Sequence, residues 1–176
     1  MKQGYVQVYT GDGKGKTTAA LGLGLRAVGR GFKVLMIQFL KGMETGELEA
    51  VKKLAPDFHI IRFAETEKFF WELSDEEKAR LKDKTQQEMK KLREFMKDNY
   101  CDVLILDEIM GAIHGDLVSV AQVCQIIDQK PREMELILTG RNVPDEIASR
   151  ADLITEMKNI KHYMEKGVPA RLGIEY

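Results

Sequence analysis

The sequence predicts an α/β fold, a mostly parallel sheet flanked by helices, in one domain spanning residues 1–176. Three observations carry this. Short apolar runs alternate with helix-like segments along the whole chain. Central runs such as Val103-Leu104-Ile105-Leu106 are continuously apolar, which suits strands buried on both faces of a parallel sheet. The first run, Tyr5–Tyr9, leads through a Gly-rich turn into the Ala/Leu/Gly-rich segment Thr17–Val28, a strand, a turn and a helix in succession.

The elements follow in order. Strands are expected at Tyr5–Tyr9, Lys33–Phe39, Phe58–Phe63, Asp102–Asp107, Glu135–Thr139 and Leu153–Met157. The small residues of Thr17–Val28 suit a helix packed closely on the sheet. Ser74-Asp75-Glu76-Glu77 is a helix start, with Ser74 as N-cap and Glu77 able to reach back to it. The helix it opens runs to about Asn99, with Leu81, Met89, Leu92 and Phe95 near one stripe. A shorter helix is expected from Val118 to Asp128, ending before Pro131. In such a fold ligands bind beyond the carboxyl ends of the strands, where Thr10, Gln38, Asp107 and Thr139 should emerge.

Composition narrows the function classes. The chain has 176 residues, 44% hydrophobic and 31% charged, with a formal net charge of −1, as in an ordinary globular protein with a real core. No basic tail or block is present, so tight nonspecific nucleic-acid binding is not expected. The two cysteines, Cys101 and Cys124, form no CxxC pair and read as buried thiols. No stretch approaches the ~20 apolar residues of a membrane span, and the chain opens almost at once on its first strand without an apolar signal region. The cytoplasm is the expected setting.

Two motifs carry chemistry. The run Thr10 to Thr18 reads TGDGKGKTT. Its glycines let backbone N–H groups converge on anionic oxygens, and the following helix N-terminus adds partial positive charge. Lys16 would reach the outer phosphates of a nucleoside triphosphate, and the Thr17 hydroxyl would sit on Mg²⁺. The usual pattern starts with Gly where this chain has Thr10, with Gly11 following. The second motif is the acidic pair Asp107-Glu108 after four apolar residues, the form a Mg²⁺-organising strand end takes. Magnesium takes hard oxygen ligands and keeps several waters, so one carboxylate suffices. Together the motifs predict a RecA-like P-loop NTPase fold binding Mg-nucleotide. They do not name the reaction. A RecA-like ATPase, a nucleoside kinase and a nucleotide sensor without turnover all share them.

Further runs are more particular. GDGKGKTTAALGLGLRAVGRGFKV, QFLKG (Gln38–Gly42), GELE (Gly46–Glu49), LDEI (Leu106–Ile109), LTGR (Leu138–Arg141), ADLITEM (Ala151–Met157), Lys161-His162 and the final GIEY resemble, in order, the ATP:corrinoid adenosyltransferases of the BtuR/CobO type. The resemblance implies attack of a reduced, Co(I) corrinoid on the 5′ carbon of ATP with release of triphosphate. It implies that Gly11, Asp12, Gly13, Lys14, Gly15, Lys16, Thr17 and Thr18 bind phosphates. Thr17 and Glu108, with Asp107 beside them, would organise the metal, so that Lys16, Thr17 and Glu108 carry the catalysis. Lys41 and Arg141 would add polar or cationic contacts. In Lys68-Phe69-Phe70-Trp71-Glu72, Phe69 and Trp71 best match a family loop that closes over the corrinoid. Family members typically carry Asn where this chain has Asp12, which adds a negative charge beside the phosphates. Some have an N-terminal helical segment that this chain is expected to lack. A homodimer and a reductase or flavodoxin-type electron donor are the implied partners.

Overall fold

The computed structural model describes every residue except Phe69. Six strands form one sheet: β1 (Val6–Thr10), β2 (Val34–Phe39), β3 (Phe58–Phe63), β4 (Val103–Asp107), β5 (Glu135–Thr139) and β6 (Leu153–Glu156). Every pairing is parallel and the spatial order is β3-β2-β4-β5-β1-β6. The helices are α1 (Lys16–Val28), α2 (Gly46–Lys52), α3 (Asp75–Lys97), α4 (Ile109–His114), α5 (Val120–Gln129) and α6 (Asp145–Ala148). Short 3₁₀ turns occupy Phe70–Glu72 and Tyr163–Lys166.

Strand alternation divides the core into two layers. Leu35, Ile37 and Phe39 of β2, Leu104 and Leu106 of β4, and Leu136 and Leu138 of β5 enter one layer, with α3 and α5. Val34, Met36, Val103, Ile105 and Ile137 enter the other, with α1 and α2. Successive side chains on a strand point to opposite faces, so a continuously apolar run fills both layers at once. Leu104 is fully buried, and truncating such a side chain costs roughly 2–5 kcal/mol. The small residues of α1 have the expected use. A Cβ at Gly24 would lie 2.7 Å from the Phe58 ring, so only glycine lets this helix lie so low.

Helix α3 starts as its sequence predicts, with a capping box between Ser74 and Glu77. Helix α5 begins two residues later than expected, at Val120. Ser119 and Gln122 form a second capping box, and a cap hydroxyl that accepts from Gln122 N–H stands outside the helix it closes. The short helices α2, α4 and α6 carry too few turns to show a periodicity in the sequence. Both cysteines are free and buried, and burial pushes the Cys101 thiol up to about 12. Among the described residues no helix is long and apolar enough to cross a membrane.

Candidate functional site: a phosphate loop facing a buried acidic strand end

Strands β1, β2, β4 and β5 deliver Thr10, Gln38, Asp107 and Thr139 to one edge of the sheet, all buried. The phosphate loop, residues 11–15, joins β1 to α1. Gly15 enters the helix with φ of 119°. That left-handed conformation favours a residue without Cβ. Lys16 folds back over the loop, its Nζ 2.6 Å from Gly11 O and 2.9 Å from Gly13 O. Burial pulls the Lys16 ammonium below its ordinary pKa, opposed by the negative charges of Glu108, Asp12 and Asp107.

Asp107 organises the opposite wall. Its Oδ1 accepts from the hydroxyls of Thr17, at 2.9 Å, and Thr139, at 2.7 Å. Its Oδ2 lies 2.8 Å from Lys41 Nζ. Three donors on a fully buried carboxylate fix its plane, and through it the Thr17 side chain. Glu108 follows in a left-handed conformation, φ 60°. Its N–H donates to Thr139 Oγ1 at 2.9 Å. Its carboxyl is raised above the ordinary pKa, first by burial and then by Asp107, against the pull of Lys41, Lys16 and Arg141. A cation bound beside Glu108 would favour its charged form and offset the cost of its desolvation. Thr17, Asp107 and Glu108 are all hard oxygen donors, the set Mg²⁺ prefers.

The loop and this wall bound a cavity of about 870 Å³. The residues expected at the site from Asp12 through Thr18 line it, as do Lys41, Trp71, Glu108 and Arg141. Lys41 does so while bound to Asp107. Arg141 Nε lies 3.9 Å from Asp12 Oδ1, so the acid at the typical Asn position faces a guanidinium. Trp71 is 75% exposed and sits in the 3₁₀ turn, whereas Phe70 beside it packs on the core and against Gly115. The expectation for Phe69 lies outside the described residues.

Several contacts at and beside the cavity escape sequence reasoning. Buried Gln38 donates to Glu47 of α2 at 3.1 Å, and Arg62 of β3 reaches Gln38 and the Met43 carbonyl. Hydrogen bonding from Gln38 holds the Glu47 carboxyl below its ordinary range despite its burial. Glu47 stands 3.9 Å from Lys41, so a polar chain runs from β3 to Asp107. The GELE run marks Glu47 in the sequence, but nothing marks its pairing with Gln38. His162, Ile174, Glu175 and Tyr176 also line the cavity, although they lie far from the phosphate loop in sequence.

Comparison with known proteins finds relatives along almost the whole chain. A corrinoid adenosyltransferase of Sinorhizobium sp. is 36% identical over 178 residues, covering 99% of this chain and 81% of that protein. The corrinoid adenosyltransferase of Escherichia coli K12 is 31% identical over 176 residues, covering 99% of this chain and 87% of the relative. The corrinoid adenosyltransferase CobA of Salmonella typhimurium is also 31% identical with the same coverage. The model of the family described as ATP:corrinoid adenosyltransferase BtuR/CobO/CobP matches residues 2–176. With a match of that extent over a site of this geometry, the chain belongs to the BtuR/CobO/CobP family of ATP:corrinoid adenosyltransferases.

Proposed function

We propose that the protein transfers the 5′-deoxyadenosyl group of ATP to the Co(I) centre of a corrinoid and releases inorganic triphosphate. The observation that carries this reading is the phosphate loop closed against the Thr17–Asp107–Glu108 oxygens, in a chain of this family. The nucleophile is the cobalt of the substrate, so the protein supplies neither a Ser nor a Cys to attack. The Co(I) electron pair forms the Co–C bond, the C5′–O bond breaks, and the departing triphosphate keeps the bonding electrons.

Catalysis then consists of alignment and stabilisation of the leaving group. Loop N–H groups from Gly11 to Thr18, apart from the Gly13 N–H bound to Met157 O, hold the triphosphate oxygens. Lys16 exchanges the Gly11 and Gly13 carbonyls for those oxygens and adds charge. Asp107 holds Thr17 in place, and Glu108 with Thr17 would hold Mg²⁺. That ion neutralises phosphate charge when bound. Each such donor is worth about 10²–10³ in rate when aimed at developing charge. Arg141, bridging towards Asp12, adds positive charge at the loop's mouth. The indole of Trp71 offers an exposed flat surface of the kind that packs on a macrocycle. Electrons for Co(I) come from a reductase or flavodoxin-type donor, and a cytoplasmic homodimer is the working assembly.

Mg-ATP supplied with and without reduced corrinoid tests the reading through its phosphate product. Intact triphosphate, formed only with reduced corrinoid, is expected. Accumulation of ADP in step with turnover would replace the reading by a kinase or an ATP-driven motor.

A further inference from the structure

The final twenty residues have no counterpart in the phosphate-loop argument, yet they meet that loop at two anchors. The first is backbone. Met157 N–H donates to Thr10 O at 2.8 Å, and Gly13 N–H donates to Met157 O at 2.7 Å. A Cβ at Gly11 or Gly13 would fall 2.4 or 2.7 Å from the same carbonyl oxygen, so the two segments touch as closely as backbones can. The second anchor is a carboxylate. Lys14 Nζ lies 2.6 Å from Glu175 Oε1, 3.0 Å from the Tyr163 hydroxyl and 3.3 Å from Ile174 O.

Glu175 gathers the rest of the segment. Its Oε2 accepts from Arg171 N–H at 2.8 Å and from Arg171 Nε at 3.3 Å. Its Oε1 accepts from the Tyr163 hydroxyl. The Arg171 guanidinium lies 4.9 Å from the centre of the Tyr163 ring, within cation–π range. Arg171, Lys14 and Tyr163 together hold the Glu175 carboxyl well below the usual carboxylate range. One side chain therefore fixes a segment that has only a short 3₁₀ turn of its own.

We propose that this segment is the nucleoside-side wall of the ATP pocket and that Glu175 is a positioning residue, holding the wall against the phosphate loop through Lys14. The proposal rests on the adenosyltransferase reading for its ligand. Three features favour the nucleoside over further phosphate. The wall begins one side chain from the loop, where the part of ATP attached to the phosphates must lie. It presents Ile174, Met164, the His162 imidazole and the Tyr176 ring to the cavity, a mixed surface suited to a base and a ribose. None of its own cations, Lys158, Lys161, Lys166 and Arg171, lines the cavity, and Lys14 beside it is already paired with Glu175.

The test separates the two halves of the ligand. Calorimetric titrations with Mg-ATP and with magnesium tripolyphosphate are compared for the wild type, Glu175→Gln, Tyr163→Phe and a chain lacking residues 172–176. The deletion and Glu175→Gln should raise the Kd for ATP about tenfold or more. Tripolyphosphate should change less than twofold, with Tyr163→Phe moving the same way by less. Trypsin should cut after Lys166 or Arg171 faster in Glu175→Gln, and ATP should slow that cut in the wild type. Parallel weakening of both ligands would overturn the proposal, because Glu175 would then act on the loop alone. Unchanged ATP affinity in all variants would also overturn it. A wild type that binds tripolyphosphate but not ATP would remove the adenosyltransferase reading itself. Tyr163→Phe guards against a deletion that fails to fold.

Discussion

Acidic side chains stand at both ends of the sheet, and the two ends use them differently. At the end where strands begin, carboxylates cap backbone. Glu135 Oε2 accepts from Tyr5 N–H at 2.7 Å, Asp152 Oδ2 from Val6 N–H at 2.8 Å, and Asp102 Oδ2 from Lys33 N–H at 2.8 Å. At the end where strands finish, Asp107 binds only side chains, and Glu108 is half-buried with its charged form disfavoured. The backbone differs as well. The residues that follow β1 to β5, namely Gly11, Leu40, Ala64, Glu108 and Gly140, all have positive φ, and the residues that enter the strands do not. For a residue with a side chain this conformation costs on the order of 1 kcal/mol or more. One end of the sheet is therefore relaxed and self-satisfied. The other holds strained turns and closely packed charge, where a ligand is to be received.

Substitutions at the two ends should part function from stability. The largest effect is expected from Lys16→Ala and Thr17→Ala. Each should lower kcat about 10²–10³-fold in a protein that still folds, because each removes a group aimed at the leaving triphosphate. Turnover assays beside thermal melts check it. Near-normal activity in a folded Lys16→Ala protein would break the contrast outright.

The acidic pair sharpens it. Glu108→Gln should raise the Mg²⁺ concentration for half-maximal activity more than Asp107→Asn does. Asp107→Asn should instead lower stability by about 1–3 kcal/mol, since it disturbs a buried acceptor shared by two hydroxyls and an ammonium. Magnesium titrations and denaturant melts of both variants decide it, and a Mg²⁺ shift confined to the Asp107 variant reverses the roles.

At the relaxed end, Asp152→Ala should cost about 1 kcal/mol of stability, the net worth of one hydrogen bond, and leave kcat unaltered. A loss of activity at equal stability would show that the two ends are coupled. The smallest effect is expected at Ala64, buried with φ of 51°. Ala64→Gly should change stability by less than about 0.5 kcal/mol, because relief of strain offsets the lost methyl group. A denaturant melt showing a full Gly penalty would mean the turn is not strained.

Much of this was legible in the sequence, and the pattern of what was not has physical reasons. Continuous apolar runs, the Ser74 cap and the Gly-Lys-Thr turn are local signals, and the structure contains each where local chemistry puts it. The sheet is wholly parallel among the described residues, as the continuous apolar runs of its central strands predict. Contacts between distant segments leave no periodic trace. Lys41, expected as a polar or cationic contact at the site, lines the cavity and stands on Asp107, 66 residues away. Glu175 and Lys14 are separated by 161 residues, and nothing in either neighbourhood names the other. The helices α2 and α4 are too short, at 7 and 6 residues, to declare themselves by spacing.

Strand β5 lies between β1 and β4, so the strand ends that carry the phosphate loop and the acidic pair stand about 10 Å apart, two strand spacings. Thr139 at the tip of β5 stands in that gap and binds Asp107 and Glu108 on its β4 side, while Thr17 reaches Asp107 from the loop side. In a mutational scan scored by activity alone, β5 would behave as though it belonged to the catalytic machinery. Substitutions at buried Leu138 or Ile137 would register beside those at Lys16, although neither side chain enters the cavity. The two kinds of hit would differ in one respect. Losses at β5 should be restored by second-site changes in the hydrophobic layers that re-seat the strand, and losses at Lys16 should not.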